Sequence, residues 1–413
     1  MASVSAALLA SCTPTNCTAF GTPSTRRFAS FDTPLVEALE DARVEYLPAE
    51  RAWILSTSAL EERLELQPSP GRGDGPQAYR LIRAYLRARD RNIRAEIGSA
   101  GGAPAADVLA GVLGIRLQDE ADVRGLPPET AEPALVPVGQ QVERTEGGLV
   151  LTIRFRGADV PAELEAQARL RPGLPVVEHR SRIRNQGSAR LHVAELDSAN
   201  LLVRGSPAAR WLAATLDTDG HVWVAALGGE GALVAETPPL SAARLPVVPV
   251  LALQDAAAAE GLILALRWSS NYRLLARALS DGSLSVEAGV RLQGGGLTPQ
   301  ARDAEAALAT DPTGLRLDAG AVLESPWLLI GFFDGALDAA GNVLREYLSA
   351  TRPRDPAWTK EVLGVGWNSW FAFGTGVDYD SMLEEANLAR QLGVEIFYVD
   401  HGWQAAMGDW VPD

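Results

Sequence analysis

At 413 residues, with 47% hydrophobic and 22% charged residues, the chain has the balance of a globular protein and the length of two or three domains. A formal net charge of −15 repels phosphate backbones and argues against nucleic acid as a partner. The basic residues are nearly all arginine, with Lys360 the only lysine, which reads as compositional bias. Cys12 and Cys17 are the only cysteines, so neither a disulfide framework nor a cysteine metal site is expected. The four histidines, His179, His192, His221 and His401, show no zinc-binding spacing.

Residues 1–30 read as a disordered leader, rich in Thr, Pro, Ser and Gly through Thr25. Within it, Val4 to Ala10 is a short apolar run followed by Ser11 and Cys12, which also fits a lipoprotein cleavage box. No Lys or Arg precedes the run, and it is at the lower limit for a signal sequence. A cytoplasmic location is therefore expected, with export as a lipoprotein through Cys12 as the alternative. Nowhere is an apolar stretch long enough to span a bilayer.

Residues 31–334 are dominated by short apolar runs broken by Gly, Pro, Asp and Asn. In the clearest run Leu149, Leu151, Ile153 and Phe155 share one face while Thr152 and Arg154 share the other, the period of a half-buried strand. Val176 to Ile183 continues in this style and ends at the turn signal Asn185-Gln186-Gly187. Leu191 to Val203, His221 to Leu227, Leu262 to Trp268, Leu284 to Leu292 and Ala321 to Leu329 read as further strands. Many short strands with turns between them predict a large antiparallel β-supersandwich. Tyr79 to Ile97 reads either as a helix or as a pair of strands, with its arginines as a solvated face.

From 335 to 360 the pattern becomes a connecting helix and linker. Leu337, Val343, Leu344, Tyr347 and Leu348 have helical spacing, and Pro353 and Pro356 follow. Residues 361–413 differ in kind. Val362 to Gly366 reads as a strand, and Ser381-Met382-Leu383-Glu384 has the form of a capping box that starts a helix at Ser381. Gly393 sits where a helix C-terminal glycine belongs, and Val394 to Val399 reads as a second, largely apolar strand. The whole is one βαβ unit, expected to be the start of an incomplete (β/α)8 barrel.

Side chains at the C-terminal ends of parallel strands converge on a site. Gly366-Trp367-Asn368-Ser369-Trp370 falls at one such end, Asp400-His401-Gly402-Trp403-Gln404 at the other, and Gly408-Asp409-Trp410 lies just beyond. An indole covers the apolar face of a hexose, and a carboxylate accepts from two adjacent hydroxyls. Trp370 or Trp367 as platform and Asp400 as clamp make a coherent sugar subsite. Spacing alone leaves barrel packing equally open for the tryptophans.

The order of these clusters resembles the opening of the catalytic barrel in glycoside hydrolase family 36, a family of α-galactosidases with related α-N-acetylgalactosaminidases and galactosyl transferases. Upstream, Val177 to Asn185 is similar to a strand of the family's sandwich, and Arg267-Trp268-Ser269-Ser270-Asn271-Tyr272 resembles its aromatic-Ser-Gly-Asn element. The resemblance implies that Trp370 contacts the glycone, that Asp400 binds its C4 and C6 hydroxyls, and that Asp409 and Trp410 border the same pocket. His401 stands where the family has a second Asp, which puts strict galactose specificity in doubt. For His401 local packing competes with a substrate role, and for Trp268 and Asn271 structural packing is the expected role.

The resemblance further implies a retaining hydrolase of α-galactosides or related oligosaccharides, working without metal or cofactor. Retention needs two carboxyl groups about 5 Å apart. In the family these are aspartates on later barrel strands, the nucleophile in a Lys-x-Asp context. The residue two after Lys360 is Val362, so no catalytic residue is assigned in this chain and the chain alone is expected to be inactive. A non-catalytic carbohydrate-binding protein, a galactosyl transferase and an α-N-acetylgalactosaminidase are the alternatives. Exposed barrel edges leave self-association open.

Overall fold

The computed structural model describes residues 28–68, 77–89, 96–98, 115–118, 135–204, 210–216, 222–227, 232–236, 248–268, 272–291, 315–351, 364–406 and 411–412. Leader residues 1–27, with Cys12 and Cys17, lie outside them, as do His221, Lys360, Asn271, Asp409 and Trp410, while within residues 28–30 of the leader Ala29 bridges to Gln140. The chain divides into two compact units, residues 1–348 and 349–413.

In the first unit the strands are β1 (Leu35–Leu39), β2 (Ala42–Leu47), β3 (Ala52–Ser56), β4 (Leu60–Pro68), β5 (Tyr79–Ala88), β6 (Glu96–Gly98), β7 (Ile115–Gln118), β8 (Leu135–Thr145), β9 (Gly148–Gly157), β10 (Ala162–Leu170) and β11 (Val176–Asn185). There follow β12 (Leu191–Arg204), β13 (Trp211–Leu216), β14 (Val222–Leu227), β15 (Ala232–Glu236), β16 (Val250–Asp255), β17 (Glu260–Leu266), β18 (Tyr272–Ala278), β19 (Leu284–Arg291), β20 (Leu315–Leu317), β21 (Val322–Glu324) and β22 (Leu328–Asp334). All their pairings are antiparallel. One layer runs β1-β2-β3-β4-β5-β6-β12-β19-β18-β15, with β7 and β20 also on β12. The other runs β8-β9-β10-β11, then β21 and β22 side by side along β11, then β17-β16-β13-β14. A single residue pair, Tyr79 with Leu135, joins the layers at an edge. Leu64 and Trp53 of the first layer and Leu151 and Phe155 of the second lie in one fully apolar core cluster. Period-two alternation puts these residues inward, and the expected strands form close to where the sequence places them, although the run from Leu262 ends at Leu266 and does not reach Trp268.

Two expectations change in detail. Ala321 to Leu329 is two strands, β21 and β22, because Pro326 has no N–H for the ladder. There the Ser325 hydroxyl accepts from the Ser181 N–H (2.8 Å), and the Ser198 hydroxyl donates to the Pro326 carbonyl (2.6 Å). Tyr79 to Ile97 is a pair of strands, β5 and β6, and its arginines do not all face solvent. Arg83 shares the inward face with Leu81 and is buried, with its Nε 2.5 Å from Glu62 Oε1. His179 Nε2 from the opposite layer lies 3.0 Å from Glu62 Oε2. Burial pushes the Glu62 carboxyl up, but attraction to His179, once that ring is protonated in acid, and to Arg83 outweighs it and holds the group at about 2. Burial lowers His179, which favours its neutral form.

Helix α1 (Leu337–Thr351) lays Ala340, Val343 and Tyr347 against Val176, Ile263, Leu329 and Phe333 on the outer face of the second layer. Gly331 permits this approach, since a Cβ there would come within 2.8 Å of Val343 Cγ1. The Tyr347 hydroxyl donates to buried Glu178 (2.6 Å), which also accepts from Arg171 Nε (2.7 Å). Burial, reinforced by the Glu178 charge, pushes the phenol up to about 12.

The second unit contains β23 (Gly366–Asn368), the one-turn helix α2 (Trp370–Phe373), helix α3 (Tyr379–Gln391) and β24 (Ile396–Tyr398). The two strands are parallel, with Trp367 opposite Phe397 and Asn368 opposite Tyr398. The first strand thus runs through the Gly-Trp-Asn sequence instead of stopping before it. Asp378, not Ser381, is the N-cap of α3, accepting from the Ser381 N–H (3.0 Å) and hydroxyl (2.6 Å). At the other end Gly393 adopts φ +77°, and the Gly393 and Val394 N–H groups return to the carbonyls of Arg390 (3.3 Å) and Ala389 (2.9 Å), a Schellman closure.

Candidate functional site

Asp400 lies two residues beyond the end of β24, and Asn368 ends β23. The parallel pairing puts both at one rim, and they bond there: Asn368 Nδ2 donates to Asp400 Oδ2 (2.8 Å). The Asn368 Oδ1 accepts from the Trp370 N–H (2.7 Å), so a single amide ties the Trp370 backbone to the Asp400 carboxylate. Ser369, fully buried, closes the same junction. Its N–H donates to the Tyr398 carbonyl (3.0 Å), and its hydroxyl accepts from the Asp400 N–H (2.9 Å). Asp400 Oδ1 accepts from the His401 N–H (2.7 Å). Hydrogen bonds from the Asn368 amide and then the His401 N–H hold the Asp400 carboxyl below the usual carboxylate range. The group is an ionised acceptor with lone pairs left for a ligand.

The aromatic residues divide into two sets. Trp367 stacks flat on Phe397 at 4.5 Å and 7°, and meets Phe373 edge-on at 6.3 Å. Trp370 is 46% exposed, and its ring lies 6.3 Å from the His401 imidazole at 44°. Trp370, Asp400 and His401 are therefore gathered at one rim, while the Trp367 ring is engaged in an aromatic stack across the two strands. Asp409 and Trp410 fall outside the described residues. In the first unit Trp268, for which packing was expected, is 54% exposed.

Sequence reasoning did not assign the residues that position the others. Asn368 and Ser369 sit between the two tryptophans of the first cluster, and their type is the signal: a short amide and a hydroxyl at a strand end bond backbone. Gln404 is similar. Its Oε1 accepts from the Gly402 N–H (3.2 Å), and its Nε2 lies 2.6 Å from His401 Nδ1. Gly402 has φ +118°, and a Cβ there would lie 2.6 Å from the Thr375 carbonyl oxygen, so only glycine fits.

Among the described residues there is no group of three or more His, Cys, Asp or Glu able to hold a metal. No helix there is long and apolar enough to cross a membrane.

No protein-family model matches the chain. Over 155 residues, 36% of this chain, it is 28% identical to an α-galactosidase of Escherichia coli, a stretch that makes up 19% of that protein. The family 36 α-galactosidase AgaB of Geobacillus stearothermophilus superposes with a TM-score of 0.61 at 17% identity, over 90% of this chain and 53% of that one. The galactosidase domain of the α-galactosidase–sucrose kinase AgaSK gives a TM-score of 0.61 at 14% identity, over 90% and 53%. This chain resembles the family 36 α-galactosidases. At these identities the likeness is one of fold, and it includes the large antiparallel β domain. A variant of G. stearothermophilus AgaA in complex with stachyose is similar too, with a TM-score of 0.60 at 15% identity over 92% of this chain and 52% of that one. The chain spans about half the length of these solved structures and a fifth of the curated relative.

Proposed function

We propose that the chain is part of a retaining glycoside hydrolase acting on α-galactosides, and that its second unit is the opening of a (β/α)8 barrel supplying the glycone subsite. In this reading Trp370 is the platform for the apolar sugar face, Asp400 clamps ring hydroxyls, and His401 faces the next position. Trp367 supports the platform through its stack on Phe397, and Asp409 and Trp410 border the pocket. The observation that carries the proposal is the Asn368 amide, which fixes the Trp370 backbone and the Asp400 carboxylate to one another at the ends of two parallel strands. Such a junction predisposes an acceptor and an indole to meet one ligand before it arrives, which reduces the ordering cost of binding. The stachyose complex of the AgaA variant supports an oligosaccharide of this class.

Asp400 does not supply the acid step. A carboxyl held below its ordinary range is a poor proton donor near neutral pH. Retention needs a nucleophile and an acid/base about 5 Å apart, and the proposal assigns neither to this chain.

The test is fluorescence titration of the whole chain with methyl α-galactoside, with an aryl α-galactoside assay in parallel. Saturable binding is expected, weakened at least about tenfold by Asp400→Ala through loss of charge-assisted hydrogen bonds. No turnover above the Asp400→Ala variant is expected. Affinity indifferent to Asp400 would refute the subsite, and turnover by the chain would refute the placement of the catalytic pair elsewhere.

A further inference from the structure

The loop after β24 fixes which imidazole nitrogen of His401 carries hydrogen. An amide nitrogen only donates, so His401 Nδ1, 2.6 Å from Gln404 Nε2, must accept. The amide is held in that orientation from its other end, because Gln404 Oε1 accepts from the Gly402 N–H. Turning the amide over would set two donors against each other at Gly402. The Gln404 backbone is itself pinned, through a bridge to Pro412 and the Ala405 N–H bonded to the Val411 carbonyl (2.8 Å). With Nδ1 accepting, the neutral ring carries its hydrogen on Nε2. Among the described residues Nε2 has no partner, and the half-buried ring sits against Trp370, next to a carboxylate that accepts.

We infer that His401, oriented by Gln404, is a specificity-determining residue that turns this rim into an acceptor–donor pair. Asp400 takes a hydrogen from one ligand hydroxyl, and His401 Nε2–H gives one to the neighbouring substituent. The pair selects glycones that carry a donating hydroxyl beside an accepting oxygen, whether hydroxyl, carbonyl or carboxylate. It rejects an ammonium at the His401 position, where N–H would meet N–H. Gln404 is a positioning residue, acting only through the ring. This inference rests on the glycone-subsite reading above.

Two measurements on the whole chain test it. Nitrogen NMR of the labelled histidines, with His401 assigned by His401→Asn, is expected to show a pyridine-type Nδ1 and a pyrrole-type Nε2. Gln404→Glu, whose carboxylate accepts instead of donating, is expected to move the hydrogen to Nδ1. Binding is then compared for methyl α-galactoside and its 4-amino-4-deoxy and 6-amino-6-deoxy derivatives. One amino sugar should bind at least about tenfold more weakly than the other, and Gln404→Glu should erase most of that ratio. A hydrogen on Nδ1 in the native chain overturns the inference, and so do two amino sugars bound equally well. In either case, retained binding of methyl α-galactoside leaves the subsite reading standing. If no galactoside binds, the subsite and this specificity fall together.

Discussion

The two units bury their side chains in opposite ways. In the sandwich, Trp53, Tyr46, Phe155 and Tyr272 are almost wholly enclosed, and every strand of each layer is paired antiparallel with at least one other. In the second unit the buried residues are Ser369 and Ala389 among those described, while Phe371 is 90% exposed, Tyr379 78% and Leu392 74%. The sandwich is held by apolar area removed from water, which is worth about 25 cal/mol per Å². The second unit is held by directed local bonds: a cap, a Schellman closure, and the Asn368, Ser369 and Gln404 junctions. Area gives stability without orientation, whereas directed bonds give orientation with little stability. The division makes the units separable by substitution.

The largest effect is expected in the sandwich. Glu62→Gln removes the carboxylate paired with Arg83 in the buried Glu62–Arg83–His179 contact and should cost roughly 3–5 kcal/mol of unfolding free energy. Denaturant unfolding followed by circular dichroism measures it, and galactoside binding at the second unit should persist below the transition. The same contact sets the acid limit of the native chain. His179 is lowered from 6.5, so the unfolded chain binds its proton first, and stability erodes as pH falls below 6.5. Glu62, held at about 2 against 4.5, keeps its contribution above pH 4.5 and loses it as pH falls toward 2. Glu62→Gln should flatten the lower part of that slope, and an unchanged acid profile would show that the network does not set it.

Much of this was legible in the sequence, for reasons that differ by region. Leu149, Leu151, Ile153 and Phe155 share the core face of β9, so the strand was readable, but Val150 and Thr152 on its other face are buried too, which the expectation of a half-buried strand did not foresee. Arg83 was misread because composition points arginine outward, and only a partner on another strand, Glu62, allows it inside. The start of α3 was misplaced by three residues because Ser381 mimics a cap, when its hydroxyl serves the true cap, Asp378. At the rim, Trp370, Asp400 and His401 were singled out because they fall just after two expected parallel strands and are residue types suited to a sugar, and they do lie together there. Asn368 and Gln404 were not assigned because positioning is a matter of geometry. A one-residue shift of register between β23 and β24 would have turned Asn368 away from Asp400, and no pattern in the letters fixes that register.

A middle-sized effect tests whether the rim is held by backbone. Gly402→Ala puts a methyl 2.6 Å from the Thr375 carbonyl oxygen, at a φ of +118° that only glycine takes without strain. Roughly 1–3 kcal/mol of local strain is expected. The loop relieves it by moving, which breaks the Gly402–Gln404 bond and releases His401. Methyl α-galactoside affinity should fall several-fold, while the denaturant midpoint of the sandwich stays within error of the native chain. A shift in that midpoint would mean the units are not energetically separate.

The smallest effect lies at the first turn of α3. Asp378 satisfies an N–H that would otherwise be open to water and binds the Ser381 hydroxyl as well. Asp378→Ala removes both contacts, and Asp378→Asn keeps an acceptor while removing the charge. The first should raise amide exchange across Tyr379–Gln391 about five- to tenfold, and the second should raise it less. Neither should alter exchange in β9–β11 of the sandwich, because each unit opens on its own. Equal acceleration in both regions would show a single cooperative unit, and the contrast between enclosed area and directed bonds would then describe geometry without describing energetics.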